Sequence, residues 1–219
     1  MDVIVFALGL IATVGTVAFG IPQAVKSTRT RSRTGVSIAT WWMALIICWP
    51  WGAYGLRVED PFLTVTNVLA AIVAIWVLVA CDTRHPWRTL MLASSATAAA
   101  FFALSLAPSV LLVGFATAVM ILSRVPQLVS VVRSSDVSGV SLTTWWLSLA
   151  TASTWMLYGV LRGDAVVYIA NGIAALITAA LVTRLLYLQN SRGRASTSEP
   201  AGDSASSGST HENPNSEKT

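Results

Sequence analysis

Two residue pairs carry side chains suited to holding a small polar solute: Trp51 with Asn67, and Trp155 with Asn171. A Trp face suits the apolar face of a sugar or another flat solute, and Asn offers donors and acceptors to hydroxyl, amine or carboxylate groups. The same residue types also serve as lipid-facing or packing aromatics and as interhelical glue. Their duplication favours the binding role. The two pairs lie 104 residues apart, and that one shift lays residues 20–73 over 124–177 without a gap. Pro22-Gln23 falls on Pro126-Gln127, Gly35-Val36-Ser37 on Gly139-Val140-Ser141, Trp41-Trp42 on Trp145-Trp146, Tyr54-Gly55 on Tyr158-Gly159 and Asp60 on Asp164. Chance similarity between apolar helices would not bring Trp, Asn, Gln and Pro into register, so the chain contains an internal duplication.

Other duplicated residues suggest moving parts. Pro22 and Pro126 sit near the ends of apolar spans, where each removes a backbone hydrogen bond and frees the carbonyl four residues earlier. Each is a candidate hinge or gate. Gln23 and Gln127 beside them can satisfy freed backbone groups or bond across helices, worth roughly 1 kcal/mol each in a membrane. Tyr54 and Tyr158 are secondary candidates for contact with the solute. So is Arg124, which breaks the repeat because its counterpart is Gly20, and which snorkels to the near boundary if it does not meet an anionic group. Trp41, Trp42, Trp145 and Trp146 fit an aromatic belt better than an inner gate.

The elements that position these residues must be membrane helices. Of the 219 residues 54% are apolar and 11% charged, with mean hydropathy +0.66, too apolar for a domain that must cover itself in water. Seven spans of about 20 residues are expected, at 3–25, 38–56, 62–81, 90–107, 109–129, 142–161 and 165–188. The fourth, rich in Ala and Ser, needs its neighbours. Domain bounds follow: a first three-helix unit over 1–86, a linker helix over 87–108, a second unit over 109–189 and a disordered tail over 190–219, too polar to offset the entropy of ordering. Because a single helix joins units of three spans, both units enter the membrane in the same direction, and transporters commonly place the substrate path between such repeats. Within each unit, Trp and Asn lie symmetrically about the loop between the second and third spans. On antiparallel helices they share one depth, on the order of 10 Å in from the loop. Facing the repeat axis, all four would ring one cavity.

Lys26, Arg29, Arg31, Arg33, Arg84, Arg88, Arg133, Arg192 and Arg194 fall on one side of the membrane, against Arg57 and Arg162 on the other. The positive-inside rule then sets the amino terminus outside and the carboxyl terminus in the cytoplasm. Orientation explains the net charge of +4 better than nucleic-acid binding does. The first span lacks a basic leader, so it reads as a retained helix rather than a secretory signal. Cys48 and Cys81 read as packing residues.

Absent chemistry narrows the function further. Acidic residues fall in expected loops, termini or the tail, and His85 and His211 do the same, leaving no carboxylate or imidazole at membrane depth to relay protons. There is no phosphate-binding glycine loop, no metal-ligand cluster and no paired nucleophile and base in the membrane. The reading is of no enzyme, no primary pump and no cofactor.

With these motifs in view, the chain resembles the PQ-loop superfamily, which includes the SWEET and SemiSWEET sugar transporters and the lysosomal cationic amino-acid and cystine exporters. The resemblance covers residues 3–188 and rests on the two Pro-Gln pairs, the Gly-Val-Ser motifs, the Trp-x-x-Tyr-Gly motifs at 51–55 and 155–159, and Asn67 and Asn171. It implies an all-α membrane fold of seven helices in a three-one-three arrangement, like the SWEET organisation. It also implies a central sugar site lined by the Trp and Asn pairs, with the first-helix prolines helping the units rock. One departure is Ser37 and Ser141, where plant and animal relatives tend to carry proline. The leading expectation is a plasma-membrane uniporter for a mono- or disaccharide. The alternatives are an amino-acid exporter and a non-transporting membrane receptor or scaffold on the same fold, and the sequence leaves open whether the chain forms a homo-oligomer.

Overall fold

A computed structural model describes residues 2–30, 36–133 and 142–197, with the side chains of 109, 123–133 and 189–197 outside the description. Gly35, the Gly139-Val140-Ser141 motif and the chain beyond 197 therefore lie outside the described residues. Every described element is helical: α1 (Val3–Ala18), α2 (Ile21–Thr30), α3 (Ile38–Arg57), α4 (Pro61–Cys81), α5 (Pro86–Ser105), α6 (Ser109–Arg133), α7 (Leu142–Arg162) and α8 (Ala165–Thr197). α1 and α2 together follow the first expected span, so the eight helices make seven passes. The stretches Val3–Thr30, Pro61–Cys81 and Ala165–Leu188 are long and apolar enough to cross a membrane by length and composition alone. In α3 and α7, Trp, Tyr, Ser and Thr replace some of the aliphatic residues.

The first span is not one continuous helix, as 3–25 would be. It breaks at Phe19-Gly20, where the Gly20 N–H bonds Val17 O (3.2 Å) in a tighter turn before the Ala24 N–H restarts the ladder on Gly20 O (3.1 Å). Pro22 follows directly and has no N–H to give the Ala18 carbonyl. Glycine is required at the break, because a Cβ on Gly20 would meet Val73 Cγ1 of α4 at 2.6 Å. The equivalent helix α6 runs unbroken through Arg124 and Pro126. At the other end of the chain, α8 continues to Thr197, past the apolar span and into the segment expected to be disordered.

Helix pairing closes a ring. In each unit the third span packs between the other two, α4 between α1 and α3, and α8 between α6 and α7. Across the units α1 packs on α7 and α3 on α6, contacts that exchange under the repeat. The linker helix α5 lies outside this ring against α3 and α4. Large apolar side chains cover the periphery, among them Ile4, Leu10, Met91, Phe102, Leu111 and Leu176, all half or more exposed except Leu10 at 48%. Such a surface needs hydrocarbon around it.

Candidate functional site

The site is built on two copies of one helical hairpin. In the first, Gly55 lets α3 and α4 close up, since a Cβ there would lie 2.8 Å from the Thr64 backbone nitrogen; in the second, a Cβ on Gly159 would lie 2.6 Å from that of Tyr168. The turns are alike: the Asp60 N–H bonds Gly55 O (2.8 Å) and the Asp164 N–H bonds Gly159 O (2.9 Å). Each turn places one residue in the left-handed region, Glu59 at φ 51° and Gly163 at φ 70°. Each Asp then caps its helix, Asp60 accepting from the Leu63 N–H (3.0 Å) and Asp164 from the Val166 and Val167 N–H groups (3.0 and 3.1 Å).

The carboxylates of these caps join the two units. Tyr54 donates to Asp164 (3.0 and 3.1 Å to its two oxygens), and Tyr158 donates to Asp60 (2.9 and 2.7 Å). Each Tyr of one repeat thus holds the Asp of the other. Arg162 breaks the symmetry by standing 3.6 Å from Asp60. Asp60 falls in the loop between α3 and α4, as expected, and is buried there at 2% exposed. Its burial is tolerated because a phenol, a guanidinium and a backbone N–H all serve it. A shallow polar concavity lined by Tyr54, Arg162 and Asp164 lies at this end of the molecule.

Directly inward, Trp51 and Trp155 are buried in one core cluster with both tyrosines. Each indole meets its own Tyr edge to face, with ring centroids 6.3 and 5.4 Å apart. The Trp155 Nε1–H donates to Thr16 Oγ1 of α1 (3.0 Å), and the Thr16 hydroxyl in turn donates to Ala12 O (2.8 Å). Thr16 went unmarked in the sequence because its repeat counterpart is Met120.

The asparagines also match each other. Asn67 Nδ2 donates to Leu63 O (2.8 Å) and Asn171 Nδ2 to Val167 O (2.9 Å), each within its own helix. Both are half-buried. Among the described residues neither amide makes another hydrogen bond, which leaves each an acceptor oxygen and one N–H. The expected register holds at Gly52, where a Cβ would stand 3.4 Å from Asn67 Cβ. The two units differ here: Phe101 of α5 packs against Gly52, whereas the counterpart position is Met156, near Gly172. Only the first unit has a linker helix behind it, so only there must the residue be small.

Of the expected hinge residues, Pro22 lies at the second position of α2, and Gln23 bonds Ser27 Oγ in its own helix (3.1 Å) rather than a neighbouring helix. Pro126, Gln127 and Arg124 fall within α6, with side chains outside the described residues. Pro50, not singled out in the sequence because its counterpart is Thr154, is buried inside α3 one residue before Trp51. Ser37 caps α3 by accepting from the Thr40 N–H (3.3 Å).

Two like three-helix units, closed into a ring and joined by matched Tyr–Asp pairs, define a helical membrane protein built by duplication. The chain belongs to the SWEET-type family described as "Sugar efflux transporter for intercellular exchange", which matches residues 3–80 and 109–192. The fold is similar to that described as "The 3.7 A resolution structure of a eukaryotic SWEET transporter" (TM-score 0.71, 18% identity), covering 86% of this chain and 98% of that one. No curated protein matches the chain. Members of the family are sugar transporters, so the chain is a multi-pass membrane transporter for a small molecule and not an enzyme.

Proposed function

We propose that the chain is a passive uniporter for a mono- or disaccharide, working by alternating access around Trp51, Asn67, Trp155 and Asn171. The observation that carries this is the reciprocal pairing of Tyr54 with Asp164 and Tyr158 with Asp60, which ties the hairpin ends of the two units together above the asparagines. In this reading the pairing is the closed outer gate. Opening it separates the units and leads solute down to the two amides, whose remaining N–H and C=O groups exchange hydrogen bonds with sugar hydroxyls. The break at Phe19-Gly20 beside Pro22 supports a hinge in the first unit, with Pro126 as its equivalent in the second. In this reading the protein lies in the plasma membrane with the hairpins outside and the basic loops in the cytoplasm, an orientation the charge distribution supports.

Uptake of labelled glucose, sucrose and amino acids into proteoliposomes, with and without a pH gradient, tests this reading. Saturable sugar uptake indifferent to the gradient is expected. Gradient-driven flux would contradict uniport and point to Asp60 as the buried carboxylate to examine first. Amino-acid flux without sugar flux would move the chain to the exporter alternative, and the absence of any flux would favour a receptor.

A further inference from the structure

The units meet along two seams, α1 on α7 and α3 on α6, which exchange under the repeat but differ in their residues. On the α1 side the contacts are close and polar. The Thr13 hydroxyl donates to Gly9 O (2.7 Å) and so accepts from the Thr66 hydroxyl of α4 (2.6 Å), both side chains being buried. A Cβ on Gly9 would stand 2.6 Å from the Phe62 ring, also of α4. Toward the other unit, Thr16 accepts the Trp155 N–H of α7. Thr151, one turn before Trp155, lies so near Gly15 that a Cβ there would meet its Oγ1 at 2.9 Å. Through these threonines and glycines α1 is held to α4 of its own unit and to α7 of the other.

The α3–α6 seam cannot repeat these contacts. Under the 104-residue shift Gly9, Gly15 and Thr16 become Val113, Val119 and Met120, Thr66 becomes Ala170 and Thr151 becomes Ile47. Ala170 has no hydroxyl to give Thr117, and Met120 offers Trp51 only a thioether, a weak acceptor. Val113 and Val119 forgo the close approach that the glycines of α1 allow. Contacts between apolar side chains are non-directional and re-form after a small slide. The Thr16–Trp155 bond is directional, and pulling it apart leaves an indole N–H unpaired on a residue only 7% exposed.

We propose that the two units do not rock symmetrically: α1 stays seated on α7 through the cycle, and the passage opens and closes along the α3–α6 seam, with α6 as the helix that travels. The helices themselves fit these roles. The first span breaks at Phe19-Gly20, directly after the residues that pin it, whereas α6 runs without a break and can move as one rod. The proposal rests on the reading of this chain as an alternating-access transporter whose Tyr–Asp pairs close the outer end.

A cross-link at the pinned seam tests this. A Cβ on Gly15 would stand 3.8 Å from Thr151 Cβ, the separation that a disulfide takes. Gly15→Cys with Thr151→Cys, made in the full chain after Cys48→Ala and Cys81→Ala, should oxidise, and its glucose counterflow in proteoliposomes should match that of the same variant reduced. Loss of counterflow on oxidation, recovered on reduction, overturns the proposal. Spin labels read the seams without any solute: Ile4→Cys with Leu161→Cys across α1 and α7, and Leu56→Cys with Val110→Cys across α3 and α6, all at positions half or more exposed. Tyr54→Phe with Tyr158→Phe, which removes both latches, should lengthen the α3–α6 distance and leave the α1–α7 distance unchanged. Equal lengthening of both, or of α1–α7 alone, overturns the proposal. This second readout decides if the wild type carries no glucose, which would sink the sugar reading instead, or if the cysteine pair does not fold. No change in either distance would refute the latch, and the disulfide then decides.

Discussion

Removing one phenol oxygen should open the hairpin end of the molecule, and by different amounts in the two units. Tyr158→Phe deletes a charge-assisted hydrogen bond to a carboxylate that is 2% exposed, leaving Asp60 with Arg162 at 3.6 Å and its own helix cap. Loss of such a bond costs about 1.5–3 kcal/mol. The paired state alone makes this bond, so the loss falls on that state and raises the population of the separated state roughly 10- to 150-fold. Tyr54→Phe acts on Asp164, which is half-buried and held by two backbone N–H groups, so about 1 kcal/mol and roughly a fivefold rise are expected. A reporter can be placed at Ala152, 4% exposed in the packed layer with Trp155, as Ala152→Cys after Cys48→Ala and Cys81→Ala remove the native thiols. The rate at which an impermeant maleimide, applied on the hairpin side, labels this thiol follows the separated population. Labelling should accelerate strongly with Tyr158→Phe and modestly with Tyr54→Phe. Unchanged labelling with Tyr158→Phe, or a larger effect from Tyr54→Phe, would refute the latch.

Two further predictions concern the hairpins themselves. Gly55→Ala and Gly159→Ala each drive a Cβ into a backbone nitrogen at 2.8 or 2.6 Å, so each should destabilise the protein by about 1–3 kcal/mol; a thermal midpoint in detergent equal to that of the wild type would show that the helices can separate without cost. Glu59→Gly places glycine at φ 51°, as the second unit already does with Gly163. Removing the left-handed strain, less the extra chain entropy glycine brings, should stabilise by about 0.5–1 kcal/mol, and a lowered thermal midpoint would count against that.

The duplication is the part of the fold most legible in the sequence, because each unit keeps residues that a lipid-facing helix does not demand: Trp and Asn at depth, Gly at the hairpin, Asp at the cap. Spacing alone set Trp51 and Asn67 at one depth, and the contact of Gly52 with Asn67 has that register. The partner of each Tyr was not legible. Tyr54 and Asp60 are close in sequence, yet each bonds the opposite unit, and only the ring of α1, α4, α3, α6, α8 and α7 brings these ends together. Asp60 falls in a three-residue loop, and its burial, on which its position in the sequence is silent, comes from Tyr158 and Arg162 closing over it. Arg124 apart, residues that break the repeat gave no signal. Thr16, Pro50 and Gly52 face Met120, Thr154 and Met156 in the shift, and Gly52 is explained only by Phe101 of the linker helix. The need for glycine at the break beside Pro22 was hidden too, since it comes from Val73 of another helix.

The claim that solute passes between two equivalent asparagines is tested most directly by glucose counterflow in proteoliposomes carrying wild type, Asn67→Ala or Asn171→Ala. Each amide spends one N–H on its own helix, at 2.8 and 2.9 Å, and keeps its oxygen and second N–H for the solute. Each substitution removes those groups without unsatisfying a buried backbone donor. Counterflow should fall at least tenfold in both variants and to a similar extent, a loss of about 1.4 kcal/mol or more of solute stabilisation, with folded protein recovered as for the wild type. Wild-type counterflow in both variants would contradict the site.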